Sequence, residues 1–162
     1  SDVYKRQVQA QDGVSVESDT LGALLYPLEG DTFALDMVIK PERYHEFGIA
    51  LHVDKELETG YFLRMNPKNQ LVAWDMWPRG EQGRYQWQIK GDVPYQIETA
   101  RKLPKAEEYR VHIIKEKDIC VVYINDEIVL STRMYNHKDG YAGIYVVQGN
   151  VKLIQYKEKR SE

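Results

Sequence analysis

The sequence predicts an all-β protein, an antiparallel two-sheet β-sandwich of jelly-roll type. Three observations carry that prediction. Apolar residues alternate at period two in segment after segment. Turn signals recur about every 8–12 residues. Almost no segment reads as helix, and the aromatic set of 12 Tyr and 3 Trp against 3 Phe suits wet binding faces and large sheets alike. The only place that reads as a helical turn is the polar run Lys105 to Glu108.

The chain has 162 residues, enough for one domain with a real core. Asp2 to Gln7, DVYKRQ, matches the translation of a common sequencing-adapter end. Residues 1–7 are therefore read as an adapter-derived tail, and 8–162 as a single sandwich domain at the C-terminal end of a longer chain. Val14 to Ser18 and Leu21 to Leu28 are short strand candidates around Asp19. After the turn Gly30-Asp31, Phe33, Leu35, Met37 and Ile39 share one face of a strand that Pro41 is expected to end, having no amide proton for the ladder.

The central stretch, residues 46–79, reads as a three-stranded meander. Phe47, Ile49, Leu51 and Val53 alternate with Glu46, Gly48, Ala50 and His52. Tyr61, Leu63 and Met65 then alternate with Phe62, Arg64 and Asn66. Asn66-Pro67-Lys68-Asn69 makes a turn, Pro pre-setting φ at its second position. The third strand places Asp75 and Trp77 on one face, opposite Trp74 and Met76.

Residues 79–93 read as a long loop, with a short strand expected at 85–89. PYQIETAR, 94–101, is a further strand candidate. Tyr109, Val111 and Ile113 open the next one, and Ile119 to Ile124 is apolar on both faces, as in a sandwich core. Asn125-Asp126 is a hairpin turn leading to Ile128, Leu130, Thr132 and Met134. YAGIYVVQ and VKLIQYK are read as a last strand pair joined at Gly149-Asn150.

Net charge is −3 with scattered Lys and Arg, which argues against nucleic acid as a partner. No apolar run approaches a membrane span, so no membrane partner is expected. The single Cys120 is read as a buried small hydrophobe. No phosphate loop, nucleophile elbow or His-Glu-x-x-His is present, and Glu-x-Asp-x-x-Glu, the carboxylate spacing of jelly-roll glucanases, is absent. Four dispersed histidines do not make a metal site, although His52 and His112 both sit within strands and could meet across a sheet. No cofactor is expected. A structural calcium at the oxygen-rich turns Asp54–Glu58 or Asn136–Asp139 is the remaining alternative, though neither matches a specific loop pattern.

Binding is the better-supported chemistry. Glu46, His52, Arg64, Asp75, Trp77 and Arg79 lie close in the meander, and Tyr85 and Trp87 add loop aromatics. Rings can stack on the CH face of a sugar while guanidinium and carboxylate groups read its hydroxyls. The alternative is a sheet core with surface ion pairs, of which Arg64–Asp75 would be one.

FGIALHVDKELETGYFLRMNPKNQLVAWDMWPR, CVVYINDEIVLSTRMYN and DGYAGIYVVQGNVKLIQYK together resemble the C-terminal β-sandwich of glycoside hydrolase family 32, the β-fructosidases that include invertases, levanases and inulinases. The resemblance covers roughly residues 30–157 and is similar in kind to fructan-binding modules of the same concanavalin A-like sandwich fold. It implies that catalysis resides in a five-bladed propeller preceding the sandwich. The family's Asn-Asp-Pro-Asn, Arg-Asp-Pro and Glu-Cys motifs are absent from this chain. The implied role is a non-catalytic accessory domain that binds fructose units or braces the propeller. The implied partners are a fructan or fructose-containing saccharide and that propeller, and the implied location is extracellular or periplasmic rather than cytoplasmic. A stand-alone lectin-like glycoside hydrolase and a laminin-type protein-binding domain are the remaining readings.

Overall fold

The computed structural model describes residues 13–77 and 95–160. Eleven strands account for most of them: β1 (Val14–Pro27), β2 (Thr32–Arg43), β3 (Glu46–Val53), β4 (Gly60–Asn66), β5 (Leu71–Trp77), β6 (Tyr95–Gln96), β7 (Arg101–Lys102), β8 (Tyr109–Glu116), β9 (Ile119–Ile124), β10 (Ile128–Arg133) and β11 (Tyr141–Arg160). Every pairing is antiparallel. The fold is a β-sandwich, as the sequence predicts. The only helical element among the described residues is a 3₁₀ turn, Pro67–Asn69, not the expected one at 105–108. No helix among them is long and apolar enough to cross a membrane.

Two layers share one hydrogen-bonded path, β10-β9-β8-β2-β11-β3-β4-β5-β6, with β1 also on β11 and β7 on β5. The first half of β11, 141–147, pairs with β3; its second half, 150–160, pairs with β2. β11 is therefore one strand shared by both layers, not the expected pair with a turn at Gly149-Asn150. The chain changes layer there because Gly149 has no Cβ, and one would overlap the Arg43 carbonyl. β1 makes the same crossing at an irregularity between Ser18 and Leu21, joining two segments that the sequence reads as separate strands.

Two further expectations are corrected. Pro41 does not end β2, because β8 pairs with β2 only as far as Ile39. Pro41 then has a ladder partner only in β11, Val151, beside a register shift, so its missing N–H interrupts nothing. The expected strand at 94–101 is reduced to the two-residue strands β6 and β7 on the edge of β5.

Inward residues of both layers form one core. Phe47, Ile49, Tyr61, Leu63, Trp74 and Ile144 come from one layer, and Leu35, Met37, Ile39, Tyr109, Ile113 and Leu153 from the other. Phe47 of β3 meets Tyr109 of β8 at a ring separation of 6.1 Å. Each such side chain contributes about 1.5–3 kcal/mol by leaving water. Cys120 is buried in this core, which pushes its thiol up to about 12. The Asn125-Asp126 turn is as expected, with φ of 51° and 56°, the left-handed pair that a two-residue hairpin turn needs.

Candidate functional site

The site is built on the outer face of β3, β4, β5 and the first half of β11. Register decides it. Tyr145 stands opposite Gly48, Gly48 opposite Arg64, and Arg64 opposite Ala73. One row away, Ala50, Phe62 and Asp75 align. Small residues at 48, 50 and 73 form a low floor on which the rings of Tyr145 and Phe62 lie. A Cβ at Gly48 would overlap the Leu63 carbonyl and approach the Tyr145 ring to 2.9 Å. The two rings meet edge to face, 5.6 Å apart at 89°.

A cavity of about 270 Å³ opens above this floor, and Glu46, Leu57, Phe62, Asp75, Trp77 and Tyr145 are among its lining residues. Arg64 Nε donates to Asp75 Oδ2 at 3.0 Å. The Arg64 side chain is 30% exposed and that of Asp75 12%, so the pair is sheltered. The Tyr145 hydroxyl donates to Glu46 Oε2 at 3.2 Å. Burial raises the pKa of Asp75 in spite of its arginine partner. Burial works against the charge of Arg64, but the bond to Asp75 and the charges of Asp75 and Glu46 outweigh it and raise the pKa. Burial, with the charges of Glu46 and Asp75, holds the Tyr145 phenol well above its usual value.

Chemically, the cavity offers two carboxylates as acceptors and an aromatic and aliphatic wall, with the Arg64 guanidinium bonded behind Asp75. That set suits a small polyhydroxy ligand. Of the sequence-predicted residues, Glu46, Asp75 and Trp77 line the cavity and Arg64 is bonded to it through Asp75. Arg79, Tyr85 and Trp87 lie outside the described residues.

His52 is elsewhere, which corrects the expectation that it shares a face with Glu46. The pairing of β3 with β11 slips between Tyr141 and Gly143, and His52 has a φ of 54°. That irregularity turns the imidazole into the core, 3% exposed. It does not approach His112, which faces outward and bonds to Asp36. At the turn proposed for calcium, Asp54 Oδ1 accepts the amides of Glu58 and Thr59 at 2.7 and 2.8 Å. Among the described residues no three His, Cys, Asp or Glu side chains group as a metal site.

Sequence reasoning missed Tyr145 and Phe62. Their signal was present as three small residues, Gly48, Ala50 and Ala73, on one face of an aromatic-rich sheet. Small residues there mark a surface on which rings from neighbouring strands can lie.

No family model and no curated protein sequence matches the chain. Solved structures do. The carbohydrate-binding module CBM66 from Bacillus subtilis matches with a TM-score of 0.71 at 15% identity, covering 96% of each chain. The chain shares that module's sandwich fold. It also matches the β-fructofuranosidase of Schwanniomyces occidentalis complexed with fructosyl-erythritol, with a TM-score of 0.64 at 13% identity. That match covers 97% of this chain and 33% of the enzyme, so the chain spans about a third of the enzyme's length. The Caenorhabditis elegans galectin LEC-6 follows with a TM-score of 0.60 at 12% identity, over 92% and 96% of the two chains. At such identities the likeness is one of fold, and function has to be argued from the site.

Proposed function

We propose that the chain is a non-catalytic carbohydrate-binding domain of a fructan- or sucrose-processing glycoside hydrolase, holding a fructose unit in the cavity over Gly48. The observation that carries this reading is the sheltered Arg64–Asp75 pair, whose Asp75 lines one concavity with Glu46 and Trp77. In this reading the carboxylates of Glu46 and Asp75 accept hydroxyl protons. The guanidinium of Arg64 donates to sugar oxygens. Trp77, Phe62 and Leu57 cover the ring's CH face. The fold shared with a carbohydrate-binding module and with a β-fructofuranosidase supports the choice of sugar. Both carboxylates already serve neighbours, Asp75 taking Arg64 and Glu46 taking Tyr145. Neither is thereby poised as the free acid or nucleophile that hydrolysis needs.

Calorimetric titration with levan, inulin, sucrose and fructose tests the proposal. Weak, saturable heat is expected, reduced more than about tenfold in an Arg64→Ala, Asp75→Ala double variant. Release of fructose from any of these substrates by the wild type would replace binding with hydrolysis.

A bracing role is the second reading. Ile114, Ile119 and Val129 are 42%, 42% and 46% exposed on the outer face of β8, β9 and β10. Such a patch fits a domain that rests against a larger body. Under this reading no sugar gives heat, and Ile114→Lys or Val129→Lys raises solubility.

A further inference from the structure

A buried cation lies away from the sugar cavity and plays no part in it. Lys115, on β8, is 1% exposed. An ammonium group carries three donors. Among the described residues Lys115 makes one hydrogen bond, from Nζ to His52 Nε2 at 3.0 Å, and no ion pair. The Phe33 ring lies 5.9 Å away.

None of its neighbours is a counter-ion in contact. His52 Nδ1 donates to the Asp139 carbonyl at 2.9 Å, so Nε2 carries the lone pair and the ring is neutral. Cys120 stands opposite Lys115 in the ladder, but burial keeps its thiol protonated. Asp31, Asp118 and Asp139 act on Lys115 only through space. Each carboxylate serves another group: Asp31 accepts from the Thr32 hydroxyl at 3.3 Å, Asp118 faces Arg133 at 3.9 Å, and Asp139 accepts from the Gly30 amide at 2.6 Å. A buried ammonium with one neutral acceptor is costly, and two of its donors remain open.

A cavity of about 260 Å³ adjoins Lys115. Lys117 and Lys138, both exposed, stand in its wall with Asn136 and His137, and Asp31 and Asp118 line it too. It shares no lining residue with the sugar cavity. Its volume is ample for a small anion with part of its hydration.

We propose that this cavity binds a small oxyanion of the carboxylate or phosphate class, with Lys115 as its buried donor and Lys117 and Lys138 at its mouth. The anion takes the open donors of Lys115 and supplies the missing negative charge. Burial lowers the pKa of Lys115, so binding weakens as pH rises and the amine loses its proton. Asp31 and Asp118 disfavour large or highly charged anions, which restricts the site to small ones.

The test is a titration of the full chain with inorganic phosphate and, separately, acetate, at constant ionic strength with chloride as the balancing anion. Lysine Nζ and histidine ring resonances are followed by nitrogen-15 NMR. A saturable shift of the Lys115 and His52 signals with one of the two anions is expected, and none with chloride. Lys117→Ala and Lys138→Ala should each weaken that affinity about two- to fivefold without touching the core. Lys115→Met should abolish it. Silence of the Lys115 and His52 signals with both anions overturns the proposal. So does an affinity unchanged in both surface variants. Neither outcome bears on sugar binding, which is read at Arg64 and Asp75.

Discussion

Among the described residues, each outer face of the sandwich carries a basic side chain bonded to a carboxylate across adjacent strands. On one face it is Arg64–Asp75, on the other His112–Asp36. The pairs differ in shelter. The side chains of the first are 30% and 12% exposed, those of the second 40% and 36%. Phe62 and Tyr145, resting on small residues, wall in the first pair. The second has Tyr123 at 6.1 Å from the imidazole and lies open in a broad trough. Ion pairs are common on sheets and mostly weak. What makes one of them a candidate site is the ring-lined concavity around it.

The comparison is sharpened first by the fully buried polar pair, His52 with Lys115. Burial, then the charge of Lys115, lowers His52 to about 4, with the Asp139 carbonyl opposing and His137 adding to the effect. The unfolded chain therefore binds the proton more readily than the folded one between about pH 6.5 and 4. Stability should fall as pH drops through that window, by up to about 3 kcal/mol, and level off below it. Denaturant melts at several pH values would show the slope. His52→Gln should flatten it, leaving the smaller contribution of His137, whose pKa burial also lowers against the charge of Asp54.

The sheltered pair comes next. Asp75→Asn leaves the Arg64 charge half-buried without its partner and should cost about 2 kcal/mol. Asp36→Asn, in the open pair, should cost less than about 1 kcal/mol. Equal losses in urea melts would remove the distinction between the two faces. A smaller effect than that of Asp75→Asn is expected from Tyr145→Phe, which keeps the ring over Gly48 and deletes the donor to Glu46. It should cost about 0.5–1.5 kcal/mol and weaken sugar binding by freeing the Glu46 carboxylate to move.

Much of the fold was legible because its signals are local. Period two marked β3, β4 and β5, and placed Asp75 and Trp77 opposite Trp74 and Met76. Asn66 to Asn69 and Asn125-Asp126 marked their turns. The misread places depend on distant partners. Pro41 is tolerated because β8 stops short of it. Gly149-Asn150 resembles a hairpin turn in sequence but is a crossing between layers. His52 obeys the alternation in sequence and leaves it in space, because the ladder to β11 slips beside it. The site was half legible for the same reason: Arg64 and Asp75 lie on neighbouring strands of one meander, whereas Tyr145 comes from a strand remote in sequence, its hydroxyl meeting Glu46 across 99 positions.

The shared strand β11 also has a kinetic consequence. It pairs with β1, β2 and β3, and it is the last of the eleven strands in chain order. Until it arrives, β2 and β3 each lack a neighbour and β1 has no partner at all. Neither layer can close early. Folding has to wait for contacts of long sequence separation, which slows it and leaves apolar strand edges open to other chains in the meantime. Loss of this one strand would thus abolish both layers together, rather than fray one side.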